Sequence, residues 1–228
     1  MAITLDHIVP WGRSFDEYVA MFNLTAQDLA GAILGCGDGP AAFNATLTQR
    51  GGRVTSVDPL YAFTPEQIQA RIEATYDVIL AQVRQSQVDY VWETIPSVEA
   101  LGQTRMQAMS DFLADYTTGQ TSGRYVVGSL PDLPFEYQPF DLALVSHLLF
   151  LYSDHLSCDF HWRSLINLLR FAREVRVFPL LTLDCVISPH LATVQAQLTQ
   201  AGYPVTIQTV AYEFQRGGNQ MLVCRHSP

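Results

Sequence analysis

Short apolar runs alternate along this chain with longer segments in which apolar residues recur every three or four positions. The short runs are typical of buried β-strands, and the longer segments have the period of amphipathic helices. This alternation indicates an α/β fold with a doubly wound, mostly parallel sheet that ends in an antiparallel hairpin. Strands are predicted before Gly35 and over residues 53–58, 125–128, 140–146, 175–183, 205–214 and 221–225.

Capping residues mark where several helices begin. Ser14 and Glu17 form a capping box for a helix that continues to about residue 22. Thr64, Pro65 and Gln67 form a similar start, which is followed by apolar residues at helical spacing. Further helices are predicted over residues 98–116 and 159–172, and from residue 188 to about residue 202.

The most informative motif is the glycine-rich turn Gly35-Cys-Gly-Asp-Gly39-Pro40, with Asp58 nineteen residues after Gly39. Glycines at alternate positions allow a tight turn and a close approach of the backbone to a ligand. Pro40 suits the first turn of the following helix. A carboxylate at the end of the second strand can accept two hydrogen bonds from a ribose diol. The pairing therefore predicts a nucleotide or nucleoside site.

The spacing of this turn narrows the choice of ligand. A dinucleotide fingerprint requires a small residue where this chain has Pro40, which counts against NAD and FAD. A P-loop is excluded because no Gly-Lys-Ser/Thr follows and the chain contains no lysine.

The turn and Asp58 together resemble motif I of the class I S-adenosylmethionine-dependent methyltransferases. The segments Leu133-Pro-Phe135 and Phe140-Asp-Leu142 resemble this family's third and fourth strand motifs, and the likeness covers about residues 30–183. The resemblance implies a seven-stranded, Rossmann-like sheet with an antiparallel last strand. It also implies S-adenosylmethionine as the cofactor.

The resemblance further implies a set of site residues. The glycine loop would face the methionine part of the cofactor, Asp58 would hold the ribose, and Ser146 and His147 would lie beneath the sulfonium. His147 is then the candidate general base, with a neutral, backbone-bonded histidine as the alternative. The chain departs from the family at Ile33 and Ser129, where an acid is common. The implied cofactor-binding residues are Gly35, Cys36, Gly37, Asp38, Asp58, Pro59, Leu60, Ser129, Leu130 and Ser146.

Two segments are candidates for covering this site within a single domain of residues 1–228. The first is an N-terminal helical cover, residues 1–29, in which Trp11 and Arg13 would contact the substrate or the cofactor's carboxylate. The alternative is that Trp11 packs a helix and Arg13 is solvated. The second is a helical insert or lid, residues 61–124, which is rich in aromatic residues and includes Tyr61 as a substrate contact. A satellite core or a homodimer contact are the other interpretations of this insert.

Composition limits the partners and the compartment. Apolar residues make up 48% of the 228 residues, and the net charge is −9, with arginine supplying all 13 basic residues. A basic face is therefore not expected, which disfavours nucleic acid and membranes as partners and favours a small molecule. No signal peptide is visible, and the cysteines are scattered without Cys-x-x-Cys, so we expect a cytoplasmic protein. No metal site is predicted, because the histidines and acids around residues 154–161 fit no ligand spacing.

Three functions remain open at this stage. The first is methyl transfer from S-adenosylmethionine to a small, neutral or cationic acceptor. The second is a nicotinamide-dependent oxidoreductase, or an enzyme of the same fold that uses another nucleoside. The third is a non-catalytic member of the fold that binds a cofactor or a partner.

Overall fold

The computed structural model describes residues 9–136 and 139–226, and within them seven strands form one sheet. The strand order is β3-β2-β1-β4-β5-β7-β6. All neighbouring strands are parallel except that β7 runs antiparallel to both β5 and β6. The predicted doubly wound, seven-stranded sheet with an antiparallel final pair is therefore confirmed. The strands are β1 Ala32–Cys36, β2 Arg53–Val57, β3 Tyr125–Val126, β4 Phe140–Ser146, β5 Ala172–Phe178, β6 Val205–Thr209 and β7 Gln220–Arg225.

Helices cover both faces of this sheet. The capping boxes predicted at Ser14 and Thr64 are both formed, each with the expected third residue of the helix. Single 3-10 turns occupy Pro59–Ala62 and Gln87–Asp89. The helices are α1 Phe15–Met21, α2 Ala26–Ala30, α3 Phe43–Gln49, α4 Pro65–Gln85, α5 Val98–Thr121, α6 Cys158–Phe171 and α7 Leu191–Gln200. None of the helices in the described ranges is both long and apolar enough to cross a membrane.

The central strand β4 shows how the two helical layers are joined. Leu142 and Leu144 pack into the cluster that contains α1 and α3 residues, and Ala143 and Val145 pack into the cluster with α6 and α7. Successive side chains of a strand point to opposite faces, so a strand covered on both faces is apolar at consecutive positions. This explains why the run 140–146 is predictable as a strand from its composition.

The long segment between β2 and β3 contains two helices with different roles. Helix α5 packs against α3 and β3, so it occupies the place of the crossover helix beside the sheet. Helix α4 packs on α5, and the connection 86–97 joins the two helices. The added material is thus mainly α4 and this connection. The assignment of residues 61–124 as a lid, and of residues 1–29 as a cover, stays a prediction, and residues 1–8 lie outside the described residues.

Several element boundaries differ from the sequence predictions; for example, β3 ends at residue 126 instead of 128, and β5 begins at residue 172 instead of 175. Pro40 is not in the first turn of a helix, because α3 begins only at Phe43 and residue 40 lies in the loop packed against Gly12. Strand β5 ends at residue 178 because Pro179 has no N–H to donate to the next ladder position. Helix α7 begins at Leu191, three residues after the predicted start. Strand β6 ends at Thr209, because residues 214–216 pair with residues 89–91 instead of continuing the hairpin.

Candidate functional site

A cavity of about 580 Å³ opens over the carboxyl ends of β1, β2 and β4. This is the edge at which open α/β sheets place their ligands, and the volume is in the range of small-molecule sites. The cavity brings together the glycine loop, Asp58, the end of β4 and the N-terminal segment. Its wall on the other side is formed by α4, the 86–97 connection and the segment between β6 and β7.

The glycine loop is held to strand β2 by main-chain hydrogen bonds. Gly37 and Gly39 have φ values of +69° and +53°, a region that favours glycine. The Gly37 N–H donates to the Val57 carbonyl at 2.9 Å, and the Gly39 N–H donates to Asp58 Oδ2 at 2.9 Å. Residues 37–40 line the cavity. The loop therefore presents its backbone to the cavity in a fixed geometry.

Two of the predicted loop residues lie behind this surface. A Cβ on Gly35 would lie 1.9 Å from Asp38 Oδ2, so the absence of a side chain makes room for the Asp38 carboxylate. Cys36 is buried in the core cluster with α6 and α7 residues. Neither residue is among those that line the cavity. They support the loop from below.

Asp38 is a buried carboxylate at the cavity wall. Its oxygens accept hydrogen bonds from the hydroxyls of Ser56, at 2.6 Å, and Tyr18, at 2.9 Å. Burial raises the pKa of Asp38 to about 6, although these two hydrogen bonds oppose the rise. At neutral pH the group is therefore mostly ionised and places a negative charge beside the glycine loop.

Asp58 lines the cavity where the resemblance places the ribose. Its Oδ1 accepts from the Leu60 N–H at 2.7 Å and its Oδ2 accepts from the Gly39 N–H. Burial raises its pKa, and these backbone bonds act against the rise. Each carboxylate oxygen can accept more than one hydrogen bond, so the diol of a ribose can still be bound. Four more of the residues that the resemblance implies for cofactor binding also line this cavity: Pro59, Leu60, Ser129 and Leu130.

His147 lies directly after β4 and faces the same cavity. Its backbone has a φ of +53°, and its N–H donates to the Phe178 carbonyl at 2.7 Å. Its Nδ1 is 2.9 Å from Ser146 Oγ, and its Nε2 has no hydrogen-bond partner among the described residues. Burial lowers the pKa of His147 well below the usual value, and the nearby Arg13 and Arg105 charges lower it further. The imidazole is therefore neutral at neutral pH.

A second histidine fixes the turn that follows His147. His161 Nε2 accepts from the Phe150 N–H at 2.9 Å, and its Nδ1 is 2.7 Å from the Ser157 carbonyl. The side chain is fully buried, and the His190 ring lies 5.0 Å from it between centroids. Only a neutral His161 with its proton on Nδ1 satisfies both contacts.

This arrangement predicts a pH dependence of stability. Burial lowers the folded-state pKa of His161 below the ordinary value of 6.5, with a further lowering by His190. Below that value the unfolded chain binds a proton more readily than the folded chain, so the free energy of unfolding falls as the pH falls. We expect wild type to lose more stability than His161→Gln between about pH 7.5 and about pH 5.5, up to the limit of about 1.4 kcal/mol set by one proton taken up only by the unfolded chain. Urea unfolding at both pH values measures this, and equal losses would contradict the neutral clamp.

Trp11 and Arg13 reach the cavity, whereas Tyr61 does not line it. The Tyr61 ring packs in an aromatic cluster with Phe112 and Tyr116, and its hydroxyl donates to the Gly39 carbonyl at 2.9 Å. Tyr61 therefore supports the glycine loop from outside the cavity, and the structure gives it no place as a substrate contact.

The wall opposite the glycine loop is built from aromatic and apolar side chains that sequence reasoning did not assign to the site. Tyr90 pairs with Gln215 in an antiparallel bridge, and the Val91 N–H donates to the Phe214 carbonyl at 2.8 Å. No local motif marks such a pairing, because its partners are far apart in the sequence. Tyr90, Tyr212 and Phe214 line this wall, and Tyr152, Phe160 and Phe178 line the cavity from the segment after β4, from α6 and from the end of β5.

A buried charge cluster lies beneath this wall and was also missed. Glu17 Oε2 accepts from Arg105 at 2.5 Å, and Glu17 Oε1 accepts from the Tyr212 hydroxyl at 2.8 Å. Burial raises the pKa of Glu17, but the charge and hydrogen bond of Arg105 outweigh this and bring it to about 2. Burial, followed by the charge of Arg105, lowers the pKa of Arg13 to about 10. At neutral pH the cluster therefore holds two cations and one anion.

The strand order, the inserted antiparallel strand and the cavity above the glycine loop define the class: this is the class I S-adenosylmethionine-dependent methyltransferase fold. The chain is 32% identical over 224 residues to the "Uncharacterized protein MJ0045" of Methanocaldococcus jannaschii, with 98% of each chain covered. It belongs to the same family as that archaeal protein. No protein-family model matches the chain.

Solved structures with a similar arrangement are methyltransferases of low sequence identity. The magnesium protoporphyrin IX methyltransferase of Synechocystis PCC 6803, solved with bound S-adenosylmethionine, gives a TM-score of 0.48 at 13% identity, covering 93% of this chain and 78% of that one. The N,N-8-amino-8-demethyl-D-riboflavin dimethyltransferase of Streptomyces davawensis gives 0.47 at 13%, covering 93% and 53%. At these scores the fold assignment rests on the strand order described above.

Proposed function

We propose that the protein transfers a methyl group from S-adenosylmethionine to a small-molecule acceptor. The observation that carries this proposal is the meeting of two kinds of residue in one cavity. The glycine loop and Asp58 offer a nucleoside site, and His147 after β4 offers a neutral imidazole that lines the same cavity.

The charges on the loop side favour this cofactor. Asp38 and Asp58 both line the cavity, and no basic side chain lines it from the glycine loop itself. Two carboxylates suit a ligand with a cationic sulfonium and a ribose diol, because each can act as a hydrogen-bond acceptor or a counter-charge. They are poorly suited to a pyrophosphate.

The start of helix α3 also argues against a dinucleotide. A pyrophosphate needs free N–H groups at the helix N-terminus. Here the N-terminal segment covers that position: the Ala42 N–H donates to the Arg13 carbonyl at 3.0 Å, and a Cβ on Gly12 would lie 2.1 Å from the Pro40 carbonyl oxygen. The nicotinamide-dependent alternative therefore lacks its anion site.

The protein's main role in this reaction is to align the acceptor with the methyl group. S-adenosylmethionine supplies an activated methyl group, so positioning the acceptor in line can provide much of the acceleration. When Nδ1–H of His147 donates to Ser146 Oγ, the lone pair is on Nε2, which then accepts a proton from an acceptor hydroxyl or ammonium.

Ligand-induced stabilisation tests the proposal. At a hundredfold excess over Kd, S-adenosylhomocysteine or S-adenosylmethionine is expected to add about 2.7 kcal/mol to the free energy of unfolding. For a chain of this size that corresponds to a rise in Tm of roughly 5–11 °C. Differential scanning fluorimetry with both ligands and with NADH measures it. Stabilisation by NADH alone would contradict the proposal, and adenosyl binding without turnover across an acceptor screen would favour the non-catalytic alternative.

A further inference from the structure

We propose that the methyl acceptor carries a carboxylate on an apolar, largely aromatic body, and that Arg13 binds this carboxylate inside the cavity. The inference rests on the proposed function and names the substrate class of the same site. It differs from the neutral or cationic acceptor that the sequence suggests. The reason is that the chain's net charge of −9 describes the whole molecule, whereas the charge that meets an acceptor is local.

Arg13 lines the cavity without a counter-ion of its own. Its Nη1 donates to the Trp11 carbonyl, and its Nε is buried with no hydrogen-bond partner. No carboxylate among the described residues lies within 4.0 Å of the guanidinium. The Nη2 group has no hydrogen-bond partner among the described residues and is not among the fully buried atoms, so its two N–H groups are the donors open to a ligand.

The one acid whose charge acts on Arg13 is already engaged. Glu17 Oε2 accepts from the Ser14 N–H at 2.9 Å and from Arg105, and Glu17 Oε1 accepts from Tyr212. Arg105 is fully buried and depends on this carboxylate. The cluster thus keeps an excess positive charge, and that charge is on the residue at the cavity wall.

A partly buried guanidinium without a paired anion is costly, which is the physical reason for expecting a ligand carboxylate. At a pKa of about 10 Arg13 is still protonated at neutral pH. Removing such a charge from water without pairing it is unfavourable. The planar fork of arginine matches a carboxylate with two parallel hydrogen bonds, so an acidic acceptor would both neutralise Arg13 and be oriented by it.

The charge of Arg13 acts on the tyrosines of the cavity. Burial raises the pKa of Tyr90, Tyr152 and Tyr212, and the charge of Arg13 lowers each of them. Arg13 has no part in setting the pKa values of Asp38 and Asp58, which depend on burial and local hydrogen bonds. Burial also raises the pKa of Tyr18, and the Arg13 charge again lowers it; because the Tyr18 hydroxyl donates to Asp38, Arg13 lies between the aromatic wall and the glycine loop.

A second arginine beside an aromatic ring also lines the cavity. Arg71 of α4 lines the cavity, and its guanidinium lies 3.9 Å from the centroid of the Phe63 ring. Like Arg13, it can attract an anionic acceptor, but it is exposed and so contributes mainly to the approach.

An acidic acceptor would also raise the pKa of His147. After burial, the Arg13 charge is the largest cause of the lowered His147 pKa. A carboxylate paired with Arg13 offsets this effect, so the imidazole becomes more basic when the acceptor is in place. Binding of the methyl acceptor thus makes His147, the residue that takes its proton, more basic.

Matched pairs of aromatic acids and their primary amides test the inference, for example 1-naphthoate with 1-naphthamide and indole-2-carboxylate with its amide. Binding is measured by isothermal titration calorimetry to the protein saturated with S-adenosylhomocysteine. We expect each acid to bind wild type roughly tenfold to a hundredfold more tightly than its amide. Arg13→Met should abolish this preference. Arg13→Lys, which keeps the charge but loses the fork, should retain part of it.

Arg173→Met is the matched control, because Arg173 is an exposed arginine at the start of β5 and does not line the cavity. It should behave as wild type, and S-adenosylhomocysteine should bind Arg13→Met within about twofold of wild type. Equal binding of acids and amides to wild type would overturn the inference. So would a loss of S-adenosylhomocysteine affinity in Arg13→Met with 5′-methylthioadenosine binding unchanged, since Arg13 would then hold the cofactor's carboxylate. Failure of wild type to bind any adenosyl ligand would instead contradict the proposed function.

Discussion

Replacing Glu17 with alanine is expected to lower the free energy of unfolding by about 3–5 kcal/mol, because it leaves a buried charge without its partner. Arg105 is fully buried, and its ion pair with Glu17 at 2.5 Å is its neutralising contact. The Tyr212 hydroxyl would lose its acceptor in the same variant. Urea unfolding followed by circular dichroism measures the change, and the corresponding fall in Tm is roughly 6–20 °C.

Two controls make this prediction specific. Glu99→Ala removes an ion pair with Arg84 in which the side chains are 67% and 50% exposed, and it should leave the unfolding midpoint close to that of wild type. The double variant Glu17→Met/Arg105→Met removes both buried charges and should recover much of the loss. If Glu17→Ala unfolds at the same urea concentration as Glu99→Ala, removing Glu17 does not leave a costly unpaired charge on Arg105.

Replacing Asp58 with alanine is expected to weaken S-adenosylhomocysteine binding by roughly 10²–10⁴-fold, since two charge-assisted hydrogen bonds to a ribose diol would be lost. Part of the loss would come from the protein itself, because Asp58 also accepts from the N–H groups of Gly39 and Leu60 and so shapes the loop. Calorimetric titration of the ligand measures the affinity, and the Tm without ligand reports the loop contribution separately.

Asp58→Asn serves as the control for this second prediction. It keeps one oxygen acceptor and nearly the same shape but loses the charge, so its affinity should lie between those of wild type and Asp58→Ala. An undiminished affinity in Asp58→Ala would show that the ribose is not held at this position.

The elements that could be predicted from the sequence are those that depend on neighbouring residues. The capping boxes at Ser14 and Thr64, the buried strand β4 and the glycine turn followed by Asp58 all rest on spacings within a few tens of residues. Such signals are local, so they can be recognised in the sequence without knowledge of the tertiary structure. They were sufficient for the sheet and for the loop side of the site.

The rest of the site depends on contacts between distant parts of the chain. Arg105 meets Glu17 across 88 positions, and Tyr212 meets Glu17 across 195. No spacing rule identifies such partners. The same reason explains why Tyr61 does not line the cavity as predicted. It lies in a single 3-10 turn after Asp58, and its ring packs toward α5, a helix whose position the sequence near Tyr61 does not indicate.

The bridge between residues 89–91 and 214–216 couples ligand binding to the order of two remote segments. Tyr90, from the connection after α4, and Phe214, from the segment before β7, line the same wall and stack with their ring centroids 4.9 Å apart. A ligand that contacts both rings strengthens the pairing, and by thermodynamic reciprocity anything that strengthens the pairing tightens the ligand by the same factor. On the proposed function, variation in either segment would tune acceptor affinity without changing the glycine loop, so acceptors could be exchanged while the loop is kept.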